Sequence, residues 1–324
     1  MAKARAIVKR RKAVRNIRKI TRTMQMIATA KFQKSLKRVV STKPYAMKIS
    51  EIVRDVAQSA GEIDHPVLRN VTTESATNKV AFVMLTSNRG LAGGYNGNVI
   101  RTSMTFIRKL ESEGKTVEVY VVGKKGVSYL TFQKRAITQK VAISDPPKFS
   151  EAETLADELM QQFSEAKVDA VYVGFMNFIS TGNQKPEVMP LLPLGSLKKR
   201  LDDIAQQLSE KEEQIKAGVM DDKRVGAEAV STPEIKSDSI YDFSPAPKEL
   251  LGELLPLAVK TVFFQTFLDA ATSEHVARMI AMKAATDNAS EMAQLLSLQY
   301  NRARQSQITT ELSEIMGGVE AMKS

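Results

Sequence analysis

From Leu257 to Lys323 the chain contains no proline, and its only glycines there are the adjacent Gly317 and Gly318. Apolar residues recur along this run in steps of three and four: Met282, Ala285, Ala289, Met292 and Leu296, then Ile308, Leu312, Ile315, Val319 and Met322. Such spacing lets a helix bury one narrow stripe. A helix over the whole stretch would be roughly 100 Å long at 1.5 Å per residue. That exceeds the width of a compact domain, so most of the helix must project and needs a partner.

The other end of the chain supplies one. Residues 2–60 read as a second long helix, with Ile17, Ile20, Met24 and Ile27 as one apolar edge and Tyr45, Ile49, Ile52 and Val56 as another. Pro44 should kink it or start a new helix, because proline lacks the backbone donor and clashes with the preceding turn. Gly61 and the Asp64-His65-Pro66 group should end it. The first fifty residues hold sixteen Lys and Arg and no acid, the first carboxylate being Glu51, so the remainder of this +11 chain is net negative by about five. Uncompensated charge of this density repels itself and points to a docking surface for an acidic partner.

Between the helices the pattern changes. Lys79–Thr86 reads as a buried strand, followed by the Gly-rich turn from Ser87 to Gly94 and a helix over Tyr95–Ser112. A strand at Thr116–Val122, a short helix after Gly123, a weaker strand near Ile137–Ile143 and an amphipathic helix at Phe149–Ala166 come next. Ala170–Phe178 and Glu187–Leu192 complete the set. Strands separated by helices imply an α/β domain with an open, largely parallel sheet. The expected division is an N-terminal helix (1–62), an α/β domain (78–194), a charged segment (195–247) and the C-terminal helix (248–324). In the charged segment Leu197, Leu201, Ile204, Leu208 and Ile215 keep helical spacing, with Lys211 at one seam position. That predicts a short exposed helix docking weakly and reversibly, then a flexible connector.

Several chemistries are excluded. The chain has no cysteine, and its only imidazoles are His65 and His275. Disulfides, thiol switches and Cys-ligated metals are therefore out. Lys260 interrupts the best candidate for the ~18-residue apolar run that a membrane span needs. The Gly-rich turn lacks both a Gly-Lys-Ser/Thr ending and G-x-G-x-x-G spacing, so a structural turn making close contact with the long helices outranks a phosphate site. His275 reads as helix surface or interface. Glu311 and Glu314, neighbours on one helix face, read as hydrogen-bonding groups for a partner. No nucleophile, base and oxyanion site come together, so no catalytic residue, cofactor or metal is expected.

Four segments now carry a specific likeness: KITRTMQMIATAKF (19–32), TSNRGLAGGYNGN (86–98), SEHVARMIAMKAATDNA (273–289) and YNRARQSQITTELSEIMGG (300–318). In these the chain resembles the gamma subunit of F-type ATP synthases, over both helices and the domain between them. Ile308-Thr309, Glu311, Glu314 and Gly318 stand where the family pattern has them; Val319 replaces the family's usual alanine.

The resemblance implies an antiparallel, left-handed coiled coil of the N- and C-terminal helices, with a small Rossmann-like α/β domain inserted between them. It implies a rotating shaft, one copy per complex, inside a hexamer of alternating alpha and beta subunits, with the α/β domain on the epsilon subunit and the membrane c-ring. Proton (or sodium) flow would turn the shaft, and the catalytic sites would lie on the beta subunits. By resemblance, Met24 and the segment holding Arg278, Met279 and Met282 meet the moving beta subunits, while Arg304, Gln305, Thr309 and Glu311 make the upper contacts. Residues 195–240 stand where photosynthetic members carry an extra regulatory piece, here without its dithiol. The implied location is the cytoplasmic face of a bacterial inner membrane. Two rivals fare worse: a nucleic-acid-binding helix, which would lack stacking aromatics since only Phe32 precedes Tyr45, and a nucleotide-dependent α/β enzyme.

Overall fold

The computed structural model describes residues 2–59, 77–193 and 247–322. Ten elements follow in order: α1 (Ala2–Ser59), β1 (Lys79–Leu85), α2 (Tyr95–Ser112), β2 (Thr116–Val122), α3 (Lys124–Phe132), β3 (Gln139–Val141), α4 (Phe149–Ser164), β4 (Ala170–Phe178), β5 (Gln184–Leu192) and α5 (Pro247–Ala321). The chain divides into two compact units. One comprises Met1–Gln33, Leu91–Gly93 and His275–Ser324; the other comprises Lys34–Gly90 and Gly94–Glu274.

The second unit is built on a five-stranded sheet of order β3-β2-β1-β4-β5. All neighbours are parallel except β4 and β5. β5 also starts three residues earlier than its apolar run suggested, at Gln184. β1 is central and buried from Val80 to Leu85. Its residues alternate faces, as a pleated strand requires. Ala81, Val83 and Leu85 join Leu155, Leu159 and Phe163 of α4 and Val259, Phe263 and Phe267 of α5 in one core. On the opposite face Phe82 stacks near Phe106 of α2, whose ring lies 4.8 Å from that of Tyr172. Lys260 does interrupt the apolar sequence of α5. A window of this helix is nevertheless long and apolar enough to cross a membrane by composition, and 67% of it is buried within the protein's own structure.

Both prolines inside the long helices are absorbed. No second helix begins at Pro44, because α1 continues through it to Ser59. In the turn before it the Ser41 and Thr42 hydroxyls donate to the Arg38 carbonyl. Pro256 lies inside α5, nine residues past its start. The carbonyl its ring would crowd belongs to Gly252, whose side is open space, so the turn has room to relax.

In the first unit, α1 and α5 meet along a seam that keeps Met282, Ala289 and Leu296 of the expected α5 stripe but not the expected isoleucine edge of α1. Burial on α1 recurs at Ile7, Arg11, Val14, Thr21, Gln25, Ala28 and Phe32; on α5 it recurs at Met282, Thr286, Ala289, Ala293, Leu296, Tyr300 and Ala303. Both are heptad spacings, apart from an exposed Arg18 at its place in the α1 series. Val14, Ala289, Ala293 and Leu296 form a small core with Ile7 packed on it. Thr286 Oγ1 lies 2.8 Å from Thr21 Oγ1, and the Arg11 guanidinium sits over the Tyr300 ring, 4.8 Å from its centre. The expected edge of Ile17, Ile20 and Ile27 is more than half exposed, as is Met292. Small and polar residues alternate in the seam with the larger Ile7, Phe32, Met282 and Leu296, while Ile17, Ile20 and Ile27 stay outside.

Candidate partner-binding surface

The outward faces of the first unit carry an unusual load of apolar side chains. On α1 these are Ile17, Ile20, Met26 and Ile27; on α5 they are Ile280, Met292, Leu295 and Leu298, then Ile308, Leu312, Ile315, Met316 and Val319. Single exposed aliphatics are ordinary, but rows of them on two helices mark a surface made to be covered. Interleaved on α1 are the exposed cations Lys9, Arg10, Lys12, Arg15, Arg18, Lys19 and Arg22. A partner for this face must be both apolar and acidic.

The residues singled out in the sequence fall into three groups. Arg304, Gln305, Thr309 and Glu311 are exposed. Glu311 accepts a hydrogen bond from the Gln307 amide at 2.8 Å, and the Thr309 hydroxyl donates to the Gln305 carbonyl. Met24 and Met279 are half-buried, whereas Arg278 and Met282 are buried, Met282 in the seam itself. His275 is buried too, at 2% exposure, and so does not lie on the helix surface. Leu197, Leu201, Ile204, Leu208, Lys211 and Ile215 lie outside the described residues, as do Gly61 and Asp64-His65-Pro66. The row Ile17-Ile20-Ile27 was legible as apolar, but its periodicity alone could not say which helix or chain covers it.

The Gly-rich turn spends its polar groups internally. The Asn96 side-chain oxygen accepts from Ser87 N–H at 3.0 Å, and Ser87 Oγ donates to the Arg89 carbonyl at 2.6 Å. The Lys124 N–H donates to Asn88. Gly93, at φ +54°, lies so near α5 that a Cβ there would be 3.6 Å from that of Ala281. Of the turn's glycines Gly93 makes the close contact with the long helix, while Gly90 faces Lys125 and Gly94 faces Asn98. Among the described residues no group of three or more His, Cys, Asp or Glu is placed to hold a metal.

A family model described as ATP synthase matches residues 3–322. The ATP synthase gamma chain of Rhodopirellula baltica is 39% identical over 100% of both chains. That of Leptospira biflexa is 40% identical over 99% of this chain and 100% of its own. The chain belongs to the ATP synthase gamma chain family. Gamma chains are non-catalytic subunits. Solved structures agree on the fold. A chain of the Euglena gracilis mitochondrial ATP synthase (OSCP/F1/c-ring, rotational state 3) superposes with TM-score 0.61 at 16% identity, covering 99% of this chain and 95% of that one. The central stalk/c-ring structure of the Tetrahymena thermophila mitochondrial enzyme gives 0.54 at 18% identity, covering 82% and 99%.

Proposed function

We propose that this chain is the central rotating shaft of an ATP synthase, coupling ion flow through a membrane c-ring to the cycling of catalytic sites on beta subunits. Full-length similarity to curated gamma chains carries the reading. The geometry adds a physical reason. Thr21 with Thr286 and Arg11 with Tyr300 pair a falling position on α1 with a rising one on α5. This supports an antiparallel, left-handed coiled coil, with the Rossmann-like sheet domain inserted between its strands. Carried to the start of α1, the same register sets Ala2 level with Gln305. Ile308, Leu312, Ile315 and Met316 then outrun the partner helix, by roughly 24 Å at 1.5 Å per residue, and need a sleeve from other chains. A hexamer of alpha and beta subunits fits, with the sheet domain resting on epsilon and the c-ring at the cytoplasmic face of a bacterial inner membrane.

The shaft performs no chemistry. Each beta subunit's conformational equilibrium is biased by whichever face of the shaft it meets, so an asymmetric shaft holds three identical subunits in three states. Arg304, Gln305, Thr309 and Glu311, being exposed, are the fitting contacts near the tip. Met24 and Met279 suit the sliding zone, where an uncharged flexible side chain passes changing neighbours without fixed bonds. The test is reconstitution. The purified chain should join an alpha/beta hexamer in one copy and, with the membrane sector, make ATP hydrolysis drive ion pumping. A hexamer that pumps equally well without it overturns the reading.

A further inference from the structure

We infer that the hydrogen bond between Thr21 and Thr286 is the register pin of the two long helices, a positioning contact that fixes which α1 residue stands level with which α5 residue. Its functional half, that coupling depends on the pin, rests on the shaft reading above. The seam around it is poor at defining register by shape. Beside the larger Phe32, Met282 and Leu296, its buried members Val14, Ala28, Ala289 and Ala293 are small, and shallow knobs at these four positions oppose a slide only weakly. A polar residue at a seam position is the established way to choose one register among several.

The pair is placed to do this. Thr21 is buried and Thr286 half-buried, with 2.8 Å between their hydroxyl oxygens. Each hydroxyl also lies within reach of its own helix, Thr21 of the Arg18 carbonyl at 3.1 Å and Thr286 of the Met282 carbonyl at 2.8 Å. Two hydroxyls carry two protons. Whichever one donates across the seam, the other donates to its own backbone, and one inter-helix bond results. After a slide of one turn both would fall back on their own carbonyls. Nothing is then left unsatisfied, so the fold survives and only the register is lost. Neighbouring hydroxyls make no such bond in this register: those of Thr29, Ser290 and Ser297 donate to Gln25, Thr286 and Ala293 of their own helices.

The absence of native cysteine permits a direct test. Nitroxide labels on Ala13→Cys and Ala284→Cys, both exposed, are offset along the seam by roughly 15 Å, ten residues at 1.5 Å each. An axial slide therefore changes their separation. Dipolar distance measurements on the full chain, alone and in the assembled complex, should give one population for the parent and for Thr21→Ser/Thr286→Ser. Thr21→Val/Thr286→Val should add a second population displaced by about 5 Å, one helical turn. Helix content should stay unchanged, and ions pumped per ATP should fall at least twofold. A single unshifted population in the double valine variant overturns the pin. A second population with undiminished pumping overturns its role in coupling. Failure of the parent chain to join the hexamer would instead overturn the shaft reading, leaving the distance result to decide the register.

Discussion

Gly174 on β4 faces Ser103 on α2 so closely that a methyl group on the glycine would collide with the serine oxygen and come within 2.8 Å of the Phe82 ring. Ser103 is itself buried, and its hydroxyl has no hydrogen-bond partner among the described residues. Gly174→Ala should therefore cost about 1–3 kcal/mol, the usual range for overpacking. Ser103→Ala removes an unsatisfied group and should be neutral or stabilising by about 1 kcal/mol. The double variant should recover part of the glycine's loss but not all, since Phe82 remains. Urea unfolding of the four chains closes the cycle, and strict additivity would contradict the contact.

Lys260 of α5 reaches Glu153 at 3.0 Å and Asp157 at 2.9 Å, two acids one turn apart on α4. Burial pushes its pKa down, but the hydrogen bonds and charges of Asp157 and Glu153 outweigh that and hold the ammonium above the ordinary lysine range. A raised folded pKa means the contribution is fully present below the unfolded value and is lost only as pH rises through the folded one. The stability difference between the parent chain and Lys260→Met should thus be flat from pH 6 to 9. Because both acids are well exposed to solvent, it should be only about 1 kcal/mol and shrink in high salt.

Glu151 behaves in the opposite sense. Its carboxylate accepts from Ser144 Oγ at 2.8 Å, Ser144 N–H at 3.1 Å and Lys148 N–H at 3.3 Å, closing the start of α4. Burial alone would raise its pKa; the Ser144 and Lys148 hydrogen bonds win and lower it. Its contribution is present above the unfolded carboxylate value, about 4.3, and is lost as pH falls through the folded one. Glu151→Gln should cost about 1 kcal/mol at pH 7, with the gap to the parent narrowing below about pH 4 in acid titration of unfolding.

Ala293 and Met292 are adjacent, yet one is buried in the seam and the other is half exposed. Ala293→Lys should open the seam, costing about 2–4 kcal/mol through overpacking and a buried charge. Met292→Lys should leave thermal unfolding within about 0.5 kcal/mol of the parent while weakening binding to the alpha/beta hexamer. Equal losses of stability in both variants would mean the seam is misplaced.

The pair also shows how far sequence reasoning reached. The limits of α2, β2 and β4 were legible to the residue, because their periodic or apolar runs are flanked by glycine, charge or, after β4, the polar Ser180-Thr181-Gly182. The existence of both long helices was legible for the same reason. Their facing was legible only in part, through Met282, Ala289 and Leu296. Periodicity finds an apolar row but says nothing of what covers it, so Ile17, Ile20 and Met292 read as seam while Thr21 and Ala293 held it. Larger aliphatics signal more strongly, and here many of them stand exposed on the outer faces. The union of Lys260 with acids a hundred residues away depends on tertiary packing that no local pattern records. Of the residues named by resemblance, Arg304, Gln305, Thr309 and Glu311 are exposed, whereas Arg278 and Met282 are buried.

The end of α5 beyond Gln305 has one further consequence. Sixteen or so residues of helix with no neighbouring element among the described residues are close to the length at which an isolated helix barely holds together in water. Some of the attraction its apolar row offers to a surrounding ring must therefore go into keeping the helix wound, and the net grip is weaker than the covered area suggests. For an axle this is the useful regime. The bearing can be continuous in shape, wrapping every side of the tip, yet no orientation is held so tightly that leaving it becomes the slow step of a revolution.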